Sequence, residues 1–172
     1  MKVPILLYHR IFNNDYNNHK YAIQEKQFEK QIKYLSEKGY KTVLIEDLCK
    51  GSKIARSRKR MISITFDDGN HSDYSIVLPI LKKYGHVATF FITVNWIGNE
   101  NYLQWSQVKE LNAAGMSVQS HSLSHSFLSV IEPKNLYKEI AESKTRIEKC
   151  LKNKVDIFSL PPVNLLNWKL VS

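Results

Sequence analysis

Apolar positions along the chain fall into two patterns, short continuous runs and stripes spaced three or four apart. Their alternation predicts strands and helices in turn, the pattern of an α/β domain. Residues 3–8 form a short apolar run suited to a buried strand, and a polar, Asn-rich loop follows over 13–20. Phe28, Ile32 and Leu35 fall at i, i+4 and i+7, one face of a helix that Gly39 ends. Residues 40–45 read as the next strand and 61–66 as a central one. A helix follows over 74–84, closed by Gly85, with Pro79 set to kink or offset it. Residues 87–94 make a strongly apolar strand. Trp105, Val108 and Leu111 mark a helix that Gly115 stops, and 116–119 read as a short strand. Pro133 introduces the longest helical stripe, Leu136, Ile140, Ile147 and Leu151, and 155–160 form the last predicted strand. Without a repeat or a linker, residues 1–172 read as a single domain.

Composition narrows the class. With 43% hydrophobic and 24% charged residues over 172 positions, the chain suits a soluble globular domain. That mix excludes a disordered chain, a collagen-like fibre and a disulfide miniature. No apolar run approaches the roughly 18 residues of a membrane span. Residues 1–10 hold too short an apolar core for an export signal, so the chain reads as cytoplasmic or as a version without its export segment. Lys plus Arg number 25 against 16 Asp plus Glu, a net +9 that favours anionic partners such as nucleic acid, acidic lipid or acidic wall polymers. The excess is concentrated in Lys53-Ile54-Ala55-Arg56-Ser57-Arg58-Lys59-Arg60, which reads as a solvated loop before a strand or as a binding patch. No helix-turn-helix, zinc-finger or RNA-binding aromatic signature accompanies it, so nucleic acid is not an expected partner. Cys49 and Cys150 form no CxxC pair and suggest free thiols.

Two clusters carry candidate chemistry, each at the end of a predicted strand, where α/β enzymes place their sites. Thr65-Phe66-Asp67-Asp68-Gly69 sets two carboxylates side by side, which is costly unless a cation or hydrogen bonds hold them. Neighbouring residues leaving a strand point to different sides, so one Asp can hold a metal while the other faces a water or substrate. His121-Ser122-Leu123-Ser124-His125 is the second cluster. Histidines four apart share one face of a helical turn and can deliver two ring nitrogens to one ion. The same spacing also fits two unrelated surface or core histidines. Together the clusters argue for a metallohydrolase, with two imidazoles and one carboxylate leaving a position open for water.

The order of these features resembles a known family. Ile64-Thr65-Phe66-Asp67-Asp68-Gly69, then Ala88-Thr89-Phe90-Phe91-Ile92, then Trp105 before a helix, then Ala114-Gly115 leading to Ser120-His121-Ser122-Leu123-Ser124-His125, are similar to the polysaccharide deacetylases of carbohydrate esterase family four. Their first motif reads TFDDG and their second H-S/T-x-x-H. The resemblance runs from the first residues to about residue 160. It implies an α/β fold, a distorted (β/α) barrel with its site at the strand C-termini. It implies Asp67 as catalytic base and Asp68, His121 and His125 as ligands of a divalent ion, zinc first, with iron, cobalt or nickel open. The implied reaction is water attack on an acetyl carbonyl, with Asp67 taking the proton and an acid protonating the departing amine. The segment Pro4-Ile5-Leu6-Leu7-Tyr8-His9-Arg10-Ile11 resembles the permuted branch of biofilm poly-N-acetylglucosamine deacetylases, which makes His9 the candidate acid. The alternative for His9 is a histidine merely satisfied at a strand end. Trp96, Tyr102 and Trp105 can line a sugar groove or pack in the core, and Trp105 and Pro161 are the candidate substrate-binding residues.

The third motif departs from the pattern. Where the permuted branch resembles F-A-Y-P-Y-G, this chain has Phe158-Ser159-Leu160-Pro161-Pro162-Val163, and Pro162 has no N–H to offer an oxyanion. About 161–172 therefore read as atypical or truncated, and the barrel is expected to lack its last strands, leaving an open edge. Two functions follow: hydrolytic removal of acetyl groups from an N-acetylated amino-sugar polysaccharide, or an impaired homologue that binds metal or glycan without turnover. The polymer is poly-N-acetylglucosamine, peptidoglycan or chitin-like, and the family usually works outside the cytoplasm.

Overall fold

The computed structural model describes residues 3–13, 21–50 and 60–161. Its centre is β5 (Met61–Asp68), an apolar run buried on both faces, as an interior parallel strand requires. On one side lies β1 (Ile5–Tyr8), with Ile5 opposite Ser63 and Tyr8 opposite Phe66. On the other lies β6 (Thr89–Ile92), with Thr65 opposite Thr89 and Asp68 opposite Ile92, and β7 (Ser117–Ser120) follows beyond it. The short β4 (Lys41–Thr42) pairs with the N-terminal end of β5. Every pairing is parallel, so all of these strands end on the same edge. The sheet runs β1-β5-β6-β7, and no ladder joins its two outer strands among the described residues. A separate two-stranded parallel sheet joins β2 (Arg10–Phe12) to β3 (Ala22–Gln24).

Among the described residues, five α-helices accompany the strands: α1 (Glu25–Glu37), α2 (Ile45–Cys49), α3 (Leu78–Tyr84), α4 (Trp105–Ala113) and α5 (Pro133–Leu151). The predicted stripe of α1 is buried at Phe28, Ile32 and Leu35. A row of rings crosses the sheet in register. Phe66 stacks on Tyr8 with centroids 5.3 Å apart and on Phe90 at 5.0 Å, while the edge of Phe28 meets it at 5.8 Å. By alternation, Thr65 and Asp67 face the other way. That face is mostly polar, with Phe91 opposite Asp67, and α2 lies against it: Glu46 Oε2 accepts hydrogen bonds from Ser117 Oγ and Gln119 Nε2, both at 3.0 Å.

Several sequence expectations are corrected. Residues 155–160 make one bridge, Ser120 to Phe158, instead of a strand. Three of their N–H groups find side chains: Gln119 Oε1 accepts from Asp156 and Ile157, and Glu148 Oε1 from Val155, while the Ser159 N–H donates to the Ser120 carbonyl. The strand expected over 40–45 stops after Thr42, and α2 starts at Ile45 with Glu46 and Asp47 in its first turn, where acidic groups suit the helix dipole. The helix expected over 74–84 divides into a π-helical turn, Asp73–Val77, and α3, so that Pro79 sits in a first turn where its missing N–H is tolerated. On α5, Ile140 is 40% exposed, and the buried positions are Ser143, Ile147 and Leu151. Among the described residues no helix is long and apolar enough to cross a membrane. Cys49 and Cys150 are free thiols. Residues 53–59 of the basic run, and Pro162 and Val163 of the third motif, lie outside the described residues.

His86 ties α1 and β4 to the segment between α3 and β6. Its Nε2 lies 2.8 Å from Ser36 Oγ and its Nδ1 3.4 Å from Thr42 Oγ1. Ser36 Oγ donates to the Tyr84 carbonyl, so it accepts from Nε2–H and leaves Nδ1 as the acceptor. Burial, and then the charge of Lys41, hold this imidazole below its ordinary pKa. The unfolded chain therefore takes up a proton that the native state resists, and His86 lowers stability as pH falls below about 6.5. Urea unfolding at several pH values is expected to give a shallower acid-side loss for His86→Gln than for the wild type. Phe66→Ala, which empties the centre of the ring row, is expected to cost about 3–5 kcal/mol in the same measurement.

Candidate active site

Parallel strands bring their C-terminal ends to one edge, and the two sequence clusters meet there. Asp67 and Asp68 end β5, and His121 directly follows β7. Asp68 has a φ of 81° and so does Gly69, so the chain leaves the strand through two consecutive left-handed residues. A Cβ on Gly69 would lie 3.1 Å from both Ile92 Cγ2 and Ile97 Cδ1, a tight fit that adds to the conformational demand for glycine at this positive φ. Asn70 Nδ2 donates to the carbonyls of His9 (3.3 Å) and Asp67 (3.5 Å), and Ser72 Oγ accepts the Ile11 N–H. These bonds fasten the His9 segment to the turn.

The two histidines converge by a route that spacing alone did not give. They do not share a helical turn. Residues 121–125 form a loop in which Ser122 (φ 71°) and His125 (φ 61°) are left-handed. Backbone bonds from His121 N–H to Ile92 C=O, from Val94 N–H to Ser122 C=O and from Asn95 N–H to Leu123 C=O dock the loop on the end of β6 and the turn after it. Ser122 Oγ accepts the His125 N–H at 2.9 Å.

Asp68 Oδ1 lies 3.8 Å from His121 Nε2 and 3.4 Å from His125 Nε2, and one ligand atom from each of the three falls within 4.8 Å of the others. Asp67 Oδ2 stands 3.9 Å from His121 Nε2 and accepts a long hydrogen bond from Ser159 Oγ at 3.5 Å. The His121 Nδ1–H donates to the Ser159 carbonyl at 3.0 Å, which leaves Nε2 with its lone pair directed at the carboxylates. Burial, opposed by that carbonyl, brings His121 down to about 4, and burial likewise lowers His125. Asp67 is pushed up to about 7, first by burial and then by the Asp68 carboxylate, with the Ser159 hydroxyl acting against both. Asp67 Oδ1 and Asp68 Oδ1 are buried and have no hydrogen-bond partner among the described residues. Neutral imidazoles around an unpaired buried carboxylate oxygen form a donor set that fits a divalent cation.

The other candidates divide. His9 lines a cavity of about 270 Å³ with Asp68, Tyr21, Asn70, Glu100 and Tyr102, and its ring stacks on Tyr21 at 5.1 Å. Of the three aromatic residues, Trp96 reaches the site: its ring is 4.7 Å from that of His125 and 5.0 Å from that of Tyr102. Trp105 instead packs against the core and lines a groove with Lys109, Arg146, Lys149 and Cys150, because it starts α4 and turns inward with Val108. Pro161 is buried, and the residue of its segment that touches the cluster is Ser159. Sequence reasoning assigned Ser159 no role. Its signal was its place in the third-motif stretch.

A polysaccharide deacetylase family profile matches residues 55–166. The chain belongs to the polysaccharide deacetylase family. Within this family, it is 32% identical over 163 residues to YxkH of Bacillus subtilis (strain 168), a match covering 93% of this chain and 56% of that protein. It is 33% identical over 101 residues to a poly-β-1,6-N-acetyl-D-glucosamine N-deacetylase of Staphylococcus aureus (strain MSSA476), covering 56% of this chain and 35% of that one. The chain thus spans little more than half the length of one curated relative and about a third of the other. Among solved structures it resembles the Streptococcus pyogenes deacetylase PplD in complex with acetate, with a TM-score of 0.86 and 27% identity over 94% of this chain and 74% of that one. The α/β parallel-sheet fold expected from the sequence is the fold of this family.

Substituting the glycine of the polysaccharide deacetylase TFDDG turn tests how tightly the carboxylates are placed. Gly69→Ala is expected to lower stability by about 1–3 kcal/mol, the usual cost of a strained backbone position. It is also expected to displace Asp68, so folded Gly69→Ala should take up less divalent cation than the wild type in equilibrium dialysis.

Proposed function

We propose that this chain is a metal-dependent deacetylase that hydrolyses the acetyl amides of an N-acetylated amino-sugar polysaccharide. The observation that carries this reading is the convergence of Asp68 Oδ1, His121 Nε2 and His125 Nε2 within 4.8 Å, with Asp67 beside them. Asp68, His121 and His125 would hold the ion. When bound, the ion supplies Lewis-acid activation of water and of the acetyl carbonyl. Asp67 is the general base. Its Oδ2 is anchored by Ser159 Oγ, and Oδ1, which has no hydrogen-bond partner among the described residues, accepts the proton of the attacking water. His9 donates a proton to the departing amine from the cavity it shares with Asp68. Trp96 and Tyr102 offer ring surface beside the cluster for a pyranose. Family membership supports the reaction type, and the name of the Staphylococcus aureus relative makes poly-β-1,6-N-acetylglucosamine the first polymer to test.

Metal content of the purified chain, followed by acetate release from poly-N-acetylglucosamine, chitin and peptidoglycan fragments with zinc or cobalt added, tests the proposal. One ion per chain and metal-dependent acetate release are expected. Asp67→Asn should retain the ion and lose turnover by about a hundredfold or more, while His121→Ala should lose both. A chain that loads with metal yet releases no acetate from any of these polymers would favour binding without turnover and sink the hydrolytic reading. Release of the ion by Asp67→Asn would overturn the division of roles between the two aspartates.

A further inference from the structure

Glu139, Ser143, Ile147 and Leu151 recur every four residues and so lie along one side of α5. Ile147 and Leu151 dock in the hydrophobic core. The polar half of the same stripe reaches the loop that carries His121 and His125. Glu139 Oε2 accepts the backbone N–H groups of Leu123 at 3.0 Å and Ser124 at 2.9 Å, and Oε1 accepts Ser124 Oγ at 2.6 Å. One turn on, a chain of hydrogen bonds runs from Ser122 N–H to Ser120 Oγ (3.2 Å), from Ser120 Oγ to Ser143 Oγ (2.7 Å), and from Ser143 Oγ to the Ile140 carbonyl (2.9 Å). Each hydroxyl in it accepts one bond and donates one.

The loop needs such support. It contains two left-handed residues, Ser122 and His125, and backbone of that kind persists only where its surroundings over-determine it. Between those two residues, the N–H groups of Leu123 and Ser124 point to Glu139, and a charged acceptor shared by two amides and a hydroxyl is a strong anchor. His121 has its own restraint in the Ser159 carbonyl, whereas the His125 end of the loop is tied by Ser122 Oγ and by this carboxylate.

We propose that Glu139 is a positioning residue that holds the His121–His125 loop in its ligating shape before an ion arrives. The proposal rests on the reading of Asp68, His121 and His125 as cation ligands. Glu139 acts through the Leu123 and Ser124 amides and touches neither ion nor substrate. A residue that only stabilised the fold would lower the melting temperature and leave the metal affinity of the folded protein unchanged.

Metal-stripped chain is titrated with zinc against a chromogenic chelator, in wild type, Glu139→Gln and Glu139→Ala, with melting temperatures recorded alongside. Glu139→Ala is expected to weaken zinc binding by about tenfold to a hundredfold, the range for groups that orient metal ligands. Glu139→Gln keeps an oxygen for both amides and is expected to stay within about threefold. The visible spectrum of the cobalt form should change with Ala and not with Gln. Hydrogen exchange in metal-free wild type gives a test that needs no variant to fold: the Leu123 and Ser124 amides should exchange slowly. Unchanged zinc affinity in Glu139→Ala, or freely exchanging Leu123 and Ser124 amides, overturns the positioning role alone. A wild-type chain that takes up no zinc overturns the ligand reading and this role with it.

Discussion

Two adjacent carboxylates close a strand that is buried on both faces, and the electrostatics of holding them there governs the end of the sheet. Asp67 and Asp68 repel each other in a setting that solvates neither well, which is why burial and proximity together push Asp67 up to about 7. The surroundings relieve this strain in part. Ser159 donates to one oxygen of Asp67, and the left-handed backbone at Asp68 and Gly69 takes the chain out of the strand. The histidines add no fixed positive charge, because burial keeps His121 neutral down to about pH 4. What remains is a carboxylate pair that resists carrying two charges, with neutral nitrogen donors beside it, a setting that suits a divalent cation.

That arrangement depends on the register of the sheet. The rings of Tyr8, Phe66 and Phe90 stack across three neighbouring strands on the face that also receives Phe28 from α1. Asp67 follows Phe66 and therefore takes the opposite face. A slip of one residue in β5 would carry the carboxylate into the aromatic layer and a phenyl ring into the polar face. The hydrophobic packing of one face thus fixes the position of the chemistry on the other.

What could be read from the sequence was local. The apolar run of β5 and the stripe of α1 declare themselves within a few residues, and the fold places them as their patterns imply, while the TFDDG and His-x-x-x-His clusters are legible only as motifs. What escaped was set by groups distant in the chain. Residues 155–160 look like a strand, yet Gln119 and Glu148 side chains occupy their amides. The two histidines meet through a loop shaped from α5 and β6, which spacing cannot encode. Three aromatic residues within ten positions were equivalent as sequence, and Trp96, not Trp105, came to rest on His125. The stripe of α5 was read from its apolar members, so Glu139 and Ser143, polar residues on the same side, were passed over. The three-residue strands β2 and β3 are too short to show any period.

One contact has consequences for how the protein can change. The hydrogen bond that sets the tautomer of His121 comes from the main chain of Ser159, not from its side chain. Any amino acid except one that distorts the backbone can supply that carbonyl, so substitution at this position leaves the imidazole aligned and affects only the hydroxyl bond to Asp67. A deletion or insertion between Val155 and Ser159 acts differently: it moves the carbonyl itself and turns the ring's lone pair away from the carboxylates. Position 159 is therefore tolerant in composition, while the segment that leads to it is intolerant in length.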